Sequence, residues 1–356
     1  MSRPRSEGGS VTIKDVAREA QVSVATVSRT MNGHQHVAES VRERVLQVAR
    51  ALHYIPHHAA RSLSSRRTHT IGVVLPDLHG EFFSELIRGI DQVAREQGYH
   101  LLVSSSHGDP QAQRKALERL PGRVDGVVVM SPSLGDSGVH EDALPGGLSA
   151  VLLNCAGSAS QRPVLNVDNY GGARVMTRHL RDSGHRRIAF IAGPADNFDA
   201  HERLRGYRDA LALDADAQPW VLPGNFDEES GYRAGQTLAQ DARPDAVFAA
   251  NDMMALCCLF ALGHAGLKVP QDIALAGFDD VPMARYVLPA LTTMRVDIAG
   301  LGARALHLLL GQQLVDAPPA AAAPPAFSEM VPELIVRASS APRTAPPTGD
   351  ALTIFS

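Results

Sequence analysis

Cysteine is scarce in this 356-residue chain, limited to Cys155, Cys257 and Cys258. Two of the three are adjacent, and none lies in a CxxC or His-rich array, so they read as small buried apolar residues with no metal or redox role. Long apolar runs are missing as well. No stretch reaches the roughly 18 apolar residues of a membrane span, and the opening MSRPRSEGGS has no apolar segment behind its arginines. Neither a span nor a secretory signal is expected, which leaves the cytoplasm as the expected address. Signatures of nucleotide and hydrolytic chemistry are also lacking: no GxGxxG follows a strand pattern, and neither GxxxxGK[ST] nor GxSxG occurs. The fifteen histidines are scattered, and His57, His58 and His185 sit in polar segments where a solvated side chain is the ordinary reading. No enzyme, cofactor or metal is expected.

The chain does have enough apolar residues, 44%, for sizeable cores, and its length suits two or three domains. Its net charge of −4 conceals an asymmetry. Residues 1–70 hold 11 Lys and Arg against 5 Asp and Glu, whereas the remainder holds 23 against 33. A basic head on an acidic body suits a small module that meets phosphate, attached to a larger one that stays off it.

Within the head, TIKDVAREAQVSVATVSRTMNG contains two short helical patterns. Ile13, Val16, Ala17 and Ala20 share one face, and Thr12 with Asp15 supplies a start signal. Ser23 is a good N-cap for the second pattern, whose Val24, Val27 and Met31 lie on one side and which Gly33 ends. Helices this short need a partner. Val41, Val45, Val48, Ala49 and Leu52 supply it at helical spacing, with Ser40 and Glu43 placed for a capping box. The result is a three-helix module at 12–56 with a helix-turn-helix arrangement, preceded by a disordered stretch, 1–11. In that arrangement the start of the second helix meets base edges, which makes Ser23, Val24, Ala25, Thr26 and Arg29 candidates for DNA contact. A small helical bundle with no DNA role is the alternative. The basic linker at 57–69 contains Leu63 beside Arg61, Arg66 and Arg67. An apolar side chain among arginines suits a minor-groove wedge, or else packs on its own neighbouring lobe.

From IGVVLPD onward, strand and helix patterns alternate through DIALAGFDD and LTTMRV to a last strand, ELIVRAS. Alternation of this kind implies parallel, doubly wound α/β sheets, and more than ten strands imply two lobes. Asn251-Asp252 and Asp279-Asp280 fall at the carboxyl ends of strand patterns, where α/β folds gather ligands; helix N-capping is the alternative for Asp252 and Asp280. A Pro/Ala loop, DAPPAAAAPPAF, precedes the last strand, and the tail 339–356 is expected to be flexible.

These residues together resemble the lactose-repressor (LacI/GalR) family of bacterial transcription regulators. TIKDVAREAQVSVATVSRTMNG is similar to the family's N-terminal signature and YIPHHAARSL to its hinge. The likeness runs on through VDGVVVM, GHRRIAFIAGP, PDAVFAANDMMA, GLKVPQDIALAGFDD and PELIVRAS, covering about residues 12–338. The resemblance implies an all-α headpiece, a hinge helix and a two-lobe core of periplasmic-binding-protein type at 70–338. Its first lobe would hold about 70–167 and 298–324, and its second about 168–296 and 325–338. It further implies a homodimer on a pseudo-palindromic operator of double-stranded DNA, with no membrane partner. Val24, Ala25 and Arg29 fall on base-reading positions and Leu63 on the wedge. Thr12, Ser28, Asn32, Tyr54, Ala60 and Arg61 complete the DNA-contacting set. Effector contacts fall on Asp77, Phe82, Phe83, Asp168, Arg203, Phe226, Asn251 and Asp279. An aromatic face with Arg, Asn and Asp suits a sugar or sugar derivative, and Arg203 equally suits a carboxylate or phosphate. A nucleoside or purine effector, and a stand-alone sugar-binding protein, are the alternatives. Ala38 departs from the family's usual capping Ser. No Leu heptad follows Ser339, so a dimer is expected over a tetramer.

Overall fold

The computed structural model describes residues 11–31, 37–54, 67–133, 144, 147–155, 162–213, 217–240, 244–311 and 327–341. The chain forms two compact units, Met1–His69 and Thr70–Ser356. The first contains α1 (Ile13–Glu19), α2 (Val24–Met31) and α3 (Glu39–Ala51). Val16, Ala20, Val27 and Val45 are fully buried at their junction, with Ala17 and Ala49 almost so. Each buried valine contributes about 1.5 to 3 kcal/mol, which holds together helices too short to persist alone.

The helix starts show which capping signals operate. Asp15 Oδ2 accepts from the Thr12 backbone N–H at 3.0 Å and from its hydroxyl at 2.7 Å. Ser23 Oγ accepts from the Thr26 N–H at 3.1 Å. The capping box expected at Ser40 and Glu43 does not form: α3 begins at Glu39 behind Ala38, which has no capping side chain. Glu39 in the first turn compensates through the helix dipole.

The second unit has two six-stranded sheets. In the first lobe, β1 (Thr70–Leu75), β2 (His100–Ser105), β3 (Gly126–Met130), β4 (Ser149–Leu153) and β5 (Val164–Val167) pair in the order β5-β4-β3-β1-β2, all parallel. Helices α4 (Glu81–Glu96) and α5 (Pro110–Glu118) connect the early strands. The chain then enters the second lobe through α6 (Asn169–Asp182), β6 (Ile188–Ile191), α7 (Phe198–Leu211), β7 (Trp220–Leu222), α8 (Glu228–Gln240), β8 (Ala246–Ala249), α9 (Asp252–His264), β9 (Ala274–Asp279) and β10 (Thr292–Arg295). It returns to the first lobe with α10 (Ile298–Leu309), then β11 (Phe327–Met330), and ends with β12 (Glu333–Ile335) in the second.

Two features depart from the sequence reading. β11 pairs with β5 in the first sheet, so the third crossing lies at 331–332 rather than near 325. The strand expected in ELIVRAS shrinks to β12, which runs antiparallel to β10. The hinge residues at 55–66, the Pro/Ala loop at 317–326 and nearly all of the tail lie outside the described residues, as does the 1–10 stretch. Among the described residues no helix is long and apolar enough to cross a membrane.

Close helix packing braces the first lobe. A β-carbon on Gly89 of α4 would lie 1.9 Å from the Ala299 carbonyl oxygen of α10, and one on Gly302 would lie 2.4 Å from that of Leu86. Neither neighbour is a movable side-chain end. Gly89→Ala is therefore expected to destabilise the core by about 1 to 3 kcal/mol, seen as a lower urea midpoint with an unchanged slope. An unshifted midpoint would mean that the two helices separate freely.

Candidate functional sites

In the helical unit, the start of α2 is the exposed part. Ser23, Val24, Ala25 and Arg29 are solvent-exposed, Thr26 and Ser28 half-exposed, and Val27 and Thr30 buried. Val24 is an apolar side chain left 42% exposed beside a helix N-terminus. Among the described residues Arg29 has no carboxylate partner. Thr12 is exposed, but its hydroxyl is engaged by Asp15. Tyr54 is half-buried, its ring packed against the headpiece core. Asn32, Ala60, Arg61 and Leu63 lie outside the described residues.

The second site lies between the two lobes. Both sheets place their second strand outside the first (β2-β1-β3 and β7-β6-β8), so each has a switch point where connections diverge. Ligand crevices open beyond the carboxyl ends of strands at such points. A cavity of about 510 Å³ lies there. Asp77, Phe82, Phe83, Ser106, Gln113 and Ser131 line it from the first lobe, and Arg203, Asn225, Phe226, Asn251 and Asp279 from the second. Seven of the eight expected effector residues thus converge on one space. Asp168 does not. Its Oδ1 accepts from the Gly171 N–H at 2.7 Å, capping α6 at the first crossing.

A buried polar chain forms the floor. Arg203, 4% exposed, donates through Nε to Asn169 Oδ1 at 2.7 Å and through Nη1 to the Ala250 carbonyl at 2.5 Å. Its Nη2 lies 3.1 Å from Asp279 Oδ1, and its guanidinium stacks 3.8 Å from the centre of the Phe278 ring. Asp199 accepts from Asn169 Nδ2 and from Asn154 Nδ2, both at 2.8 Å, the second bond joining the lobes. Asn251 caps α9 through the Met254 N–H and donates to the Phe226 carbonyl, each at 3.0 Å, so it fixes the aromatic wall. Asn154, Phe226, Asp279 and Asp280 all have positive φ without being glycine. Strain of this kind persists where the surroundings over-determine it, and it gathers at binding sites.

Asp252 and Asp280 are not helix caps. Asp252 Oδ1 accepts from the Thr293 hydroxyl at 2.6 Å and Oδ2 from the Val281 N–H at 3.0 Å, while burial and the neighbouring Asp279 hold its carboxyl well above the usual range. Asp280 receives Arg295 at 2.7 Å and Arg337 at 2.6 Å. Sequence reasoning missed Asn154, Asn169 and Asp199. Asp199 and Arg203 do stand at i, i+4 on one helix, a readable pair, but Asn154 follows β4 in a loop and Asn169 opens α6, and no motif marks either.

Burial pushes both Asp199 and Asp279 up to about 6, with Arg203 opposing. A carboxyl whose folded value exceeds its unfolded one favours the folded state most fully below the unfolded value, and that contribution is lost as pH rises through about 6. Asp199→Asn removes one such titration and keeps the hydrogen bonds, because the free Asn154 Oδ1 can accept after an amide rotation. Relative to the unsubstituted chain, the variant is expected to gain up to about 3 kcal/mol between pH 4 and 7. Chemical denaturation at four pH values measures this, and a flat difference would mean that Asp199 stays ionised throughout.

The comparisons match this arrangement. Residues 12–57 match the family model "Bacterial regulatory proteins, lacI family", and residues 177–340 match "Periplasmic binding protein-like domain". The HTH-type transcriptional repressor PurR of Klebsiella pneumoniae (strain 342) is 36% identical over 304 residues, 84% of this chain and 89% of that protein. The chain belongs to the lacI family of bacterial regulatory proteins. The ribose operon repressor of Haemophilus influenzae is 35% identical, covering 84% of this chain and 91% of its own. The Lac repressor dimer bound to operator and the anti-inducer ONPF superposes with a TM-score of 0.78 at 29% identity, covering 94% of this chain and all of that one. This lacI-family chain is a DNA-binding transcriptional repressor with an allosteric effector site, and not an enzyme. Arg29→Ala at the exposed face of α2 is expected to relax preference at one base pair by about 1 to 3 kcal/mol. Competition binding over a library of operator variants reads this directly, and an unchanged preference everywhere would remove Arg29 from base readout.

Proposed function

We propose that this repressor governs carbohydrate-utilisation genes and that a sugar or sugar derivative in the interlobe cavity controls its grip on DNA. The observation that carries the reading is the cavity lining: aromatic side chains from both lobes, Phe82 and Phe83 from the first and Phe226 from the second, set among side-chain hydrogen-bonding groups. An aromatic face suits the apolar side of a sugar ring, and the polar groups suit its hydroxyls. The ribose operon repressor among its relatives supports the same class. On this reading Val24, Ala25 and Arg29 read bases, Ser23, Thr26, Ser28 and Thr12 make further DNA contacts, and Leu63 is wedged in the minor groove.

The chain acts in the cytoplasm as a homodimer on a pseudo-palindrome, a reading supported by the similar Lac repressor, which is a dimer bound to operator. Large apolar side chains on the second lobe support association: Phe260, Tyr286 and Leu288 are 59%, 75% and 92% exposed. Effector binding alters lobe closure, and closure sets the separation of the hinges. Four interlobe bonds support closure as the variable element. His79 meets Glu228 at 2.8 Å, Glu81 accepts from the Met283 N–H at 3.0 Å, Phe198 N–H donates to the Pro132 carbonyl at 2.5 Å, and Asn154 donates to Asp199.

Affinity selection of genomic fragments by the full chain, followed by sequencing, tests the DNA half of the reading. The expected product is a pseudo-palindrome beside sugar-utilisation genes. An asymmetric single site, or sites beside unrelated genes, would contradict it. The effector half is tested by thermal shift against sugars, nucleosides and purines, since a ligand that binds only the native state raises its melting temperature. A hit confined to nucleosides or purines would replace the carbohydrate reading.

A further inference from the structure

The charges and unmet hydrogen bonds of the cleft narrow the effector further, and this step rests on the reading of the cavity as the effector site. Eight carboxylates line it: Asp77, Glu81, Asp109, Asp196, Asp199, Asp227, Glu228 and Asp279. Arg203 is the sole Lys or Arg among the described lining residues, and His79 and His107 are the remaining basic groups. Each of the three already faces a partner within the chain. Arg203 donates through Nε to Asn169 and through Nη1 to the Ala250 carbonyl, its Nη2 is ion-paired with Asp279, and one face stacks on Phe278, so its charge is already countered within the chain. His79 is held by Glu228, and His107 Nδ1 lies 3.4 Å from the Ser105 hydroxyl. A ligand carboxylate or phosphate that captured Arg203 would strand Asp279, 4% exposed, beside Asp199 and Asp252. Removing one partner of a buried pair is among the costliest changes a protein interior meets.

Helix N-termini supply the usual counterargument, because their positive ends attract anions and several open into this cleft. Here each is already answered by the chain itself. Glu81 sits in the first turn of α4, Asp109 caps α5, Asp199 lies in the first turn of α7, Glu228 in that of α8 and Asp252 in that of α9. The dipoles meet carboxylates before they meet a ligand.

The remaining demand points the other way. Asp279 Oδ1 lies within ion-pair distance of Arg203, yet it accepts no hydrogen bond of acceptable geometry, and it is a buried atom of a residue that lines the cavity. It calls for a donor. We infer that the effector is an uncharged, hydroxyl-donating molecule, a neutral sugar or glycoside that donates to Asp279, and that the cleft rejects sugar acids and sugar phosphates. Arg203 on this view orients Asp279 and stacks the floor instead of receiving an anionic group.

Two measurements on the full chain test this. The first is a thermal-shift series in matched pairs at equal concentration: D-ribose with ribose 5-phosphate, D-glucose with glucose 6-phosphate and glucuronate, and cellobiose with cellobionate. A neutral member that stabilises the chain more than its charged partners is the expected result; an anion that stabilises more than its neutral partner overturns the inference. The second needs no cognate ligand. Met253 lines the cavity and is half-buried. Met253→Cys in a Cys257→Ser background is treated with a cationic trimethylammonium-ethyl and an anionic sulfonatoethyl methanethiosulfonate. Both form a mixed disulfide at the cysteine sulfur and release methanesulfinate, so their rate ratio, divided by that for free 2-mercaptoethanol, reports the local potential. A normalised ratio of about tenfold or more in favour of the cation is expected. A ratio at or below one overturns the charge selection. If the whole sugar series fails while this ratio holds, the carbohydrate reading falls and the exclusion of anions stands.

Discussion

Arg203→Ala is expected to abolish the response to effector. Its guanidinium joins Asn169, the Ala250 carbonyl, Asp279 and the Phe278 ring into one floor, so its loss leaves Asp279 and Asp199 buried without their cation. Truncating one member of such a set costs about 3 to 5 kcal/mol, enough to raise the effector dissociation constant at least about a hundredfold. Operator binding at temperatures well below the melting transition is expected to persist, because the headpiece is a separate compact unit with its own buried core. Arg203→Lys keeps a charge but cannot reproduce three directed nitrogens and a planar stack, so it is expected to recover only part of the response. Calorimetric titration of effector and a mobility-shift assay on operator measure the two properties separately. Full retention of effector affinity in Arg203→Ala would show that the floor of the cleft does not support the ligand.

Asp280→Ala carries the second large effect, this time on stability. Asp280 has a fully buried side chain and joins Arg295, contributed by β10, to Arg337, which follows β12. Arg337 also donates to the Leu291 carbonyl at 2.8 Å and, through its backbone N–H, to the Thr292 hydroxyl at the same distance. The carboxylate therefore ties the end of the described chain into the second lobe. Its removal leaves two guanidinium groups facing each other, at a cost of about 3 to 5 kcal/mol, seen as a fall in melting temperature. Asp280→Asn, which retains one acceptor oxygen, is expected to lose less. Equal melting temperatures for Asp280→Ala and the unsubstituted chain would mean that water replaces the carboxylate without penalty.

Local chemistry carried much of the fold into the sequence. Continuous apolar strands such as IGVVL and AVFAA, the first followed by an amphipathic helix and the second by a largely apolar one, mark a covered parallel sheet, and the observed β1 and β8 lie there. Asn251 and Asp279 were legible because of the rule that ligands gather at strand carboxyl ends, whereas Asp77 came only with the family resemblance. Asp168 satisfies the same rule and still faces its own helix, since a short polar side chain ahead of a helix has two uses and sequence does not choose between them. β7 and β11 escaped notice for a different reason. Each is a short edge strand, Trp220–Leu222 and Phe327–Met330, fixed by its neighbour's hydrogen bonds rather than by its own pattern. The Asn154–Asp199 bond joins residues 45 apart in sequence and across two lobes, and no local periodicity contains it.

The headpiece shows the same division. Ser23 and the apolar set Val16, Val27 and Val45 follow from spacing, and so does the exposure of Ala25 and Arg29, whereas Val24, placed by spacing on the side of Val27, is left exposed at the helix start. The start of α3 does not, because Ala38 offers no cap and the helix begins on the strength of Glu39 and its buried face.

Coupling between cleft and DNA is the centre of this reading, and linkage makes it measurable from both ends. The decisive titration measures operator affinity with and without saturating effector, using the sugar that the matched series identifies, and then effector affinity with and without saturating operator. The two factors are expected to be equal and to lie between about 5-fold and 150-fold. An effector that binds the free chain and the operator complex with the same affinity would show that the cavity and the headpiece are uncoupled.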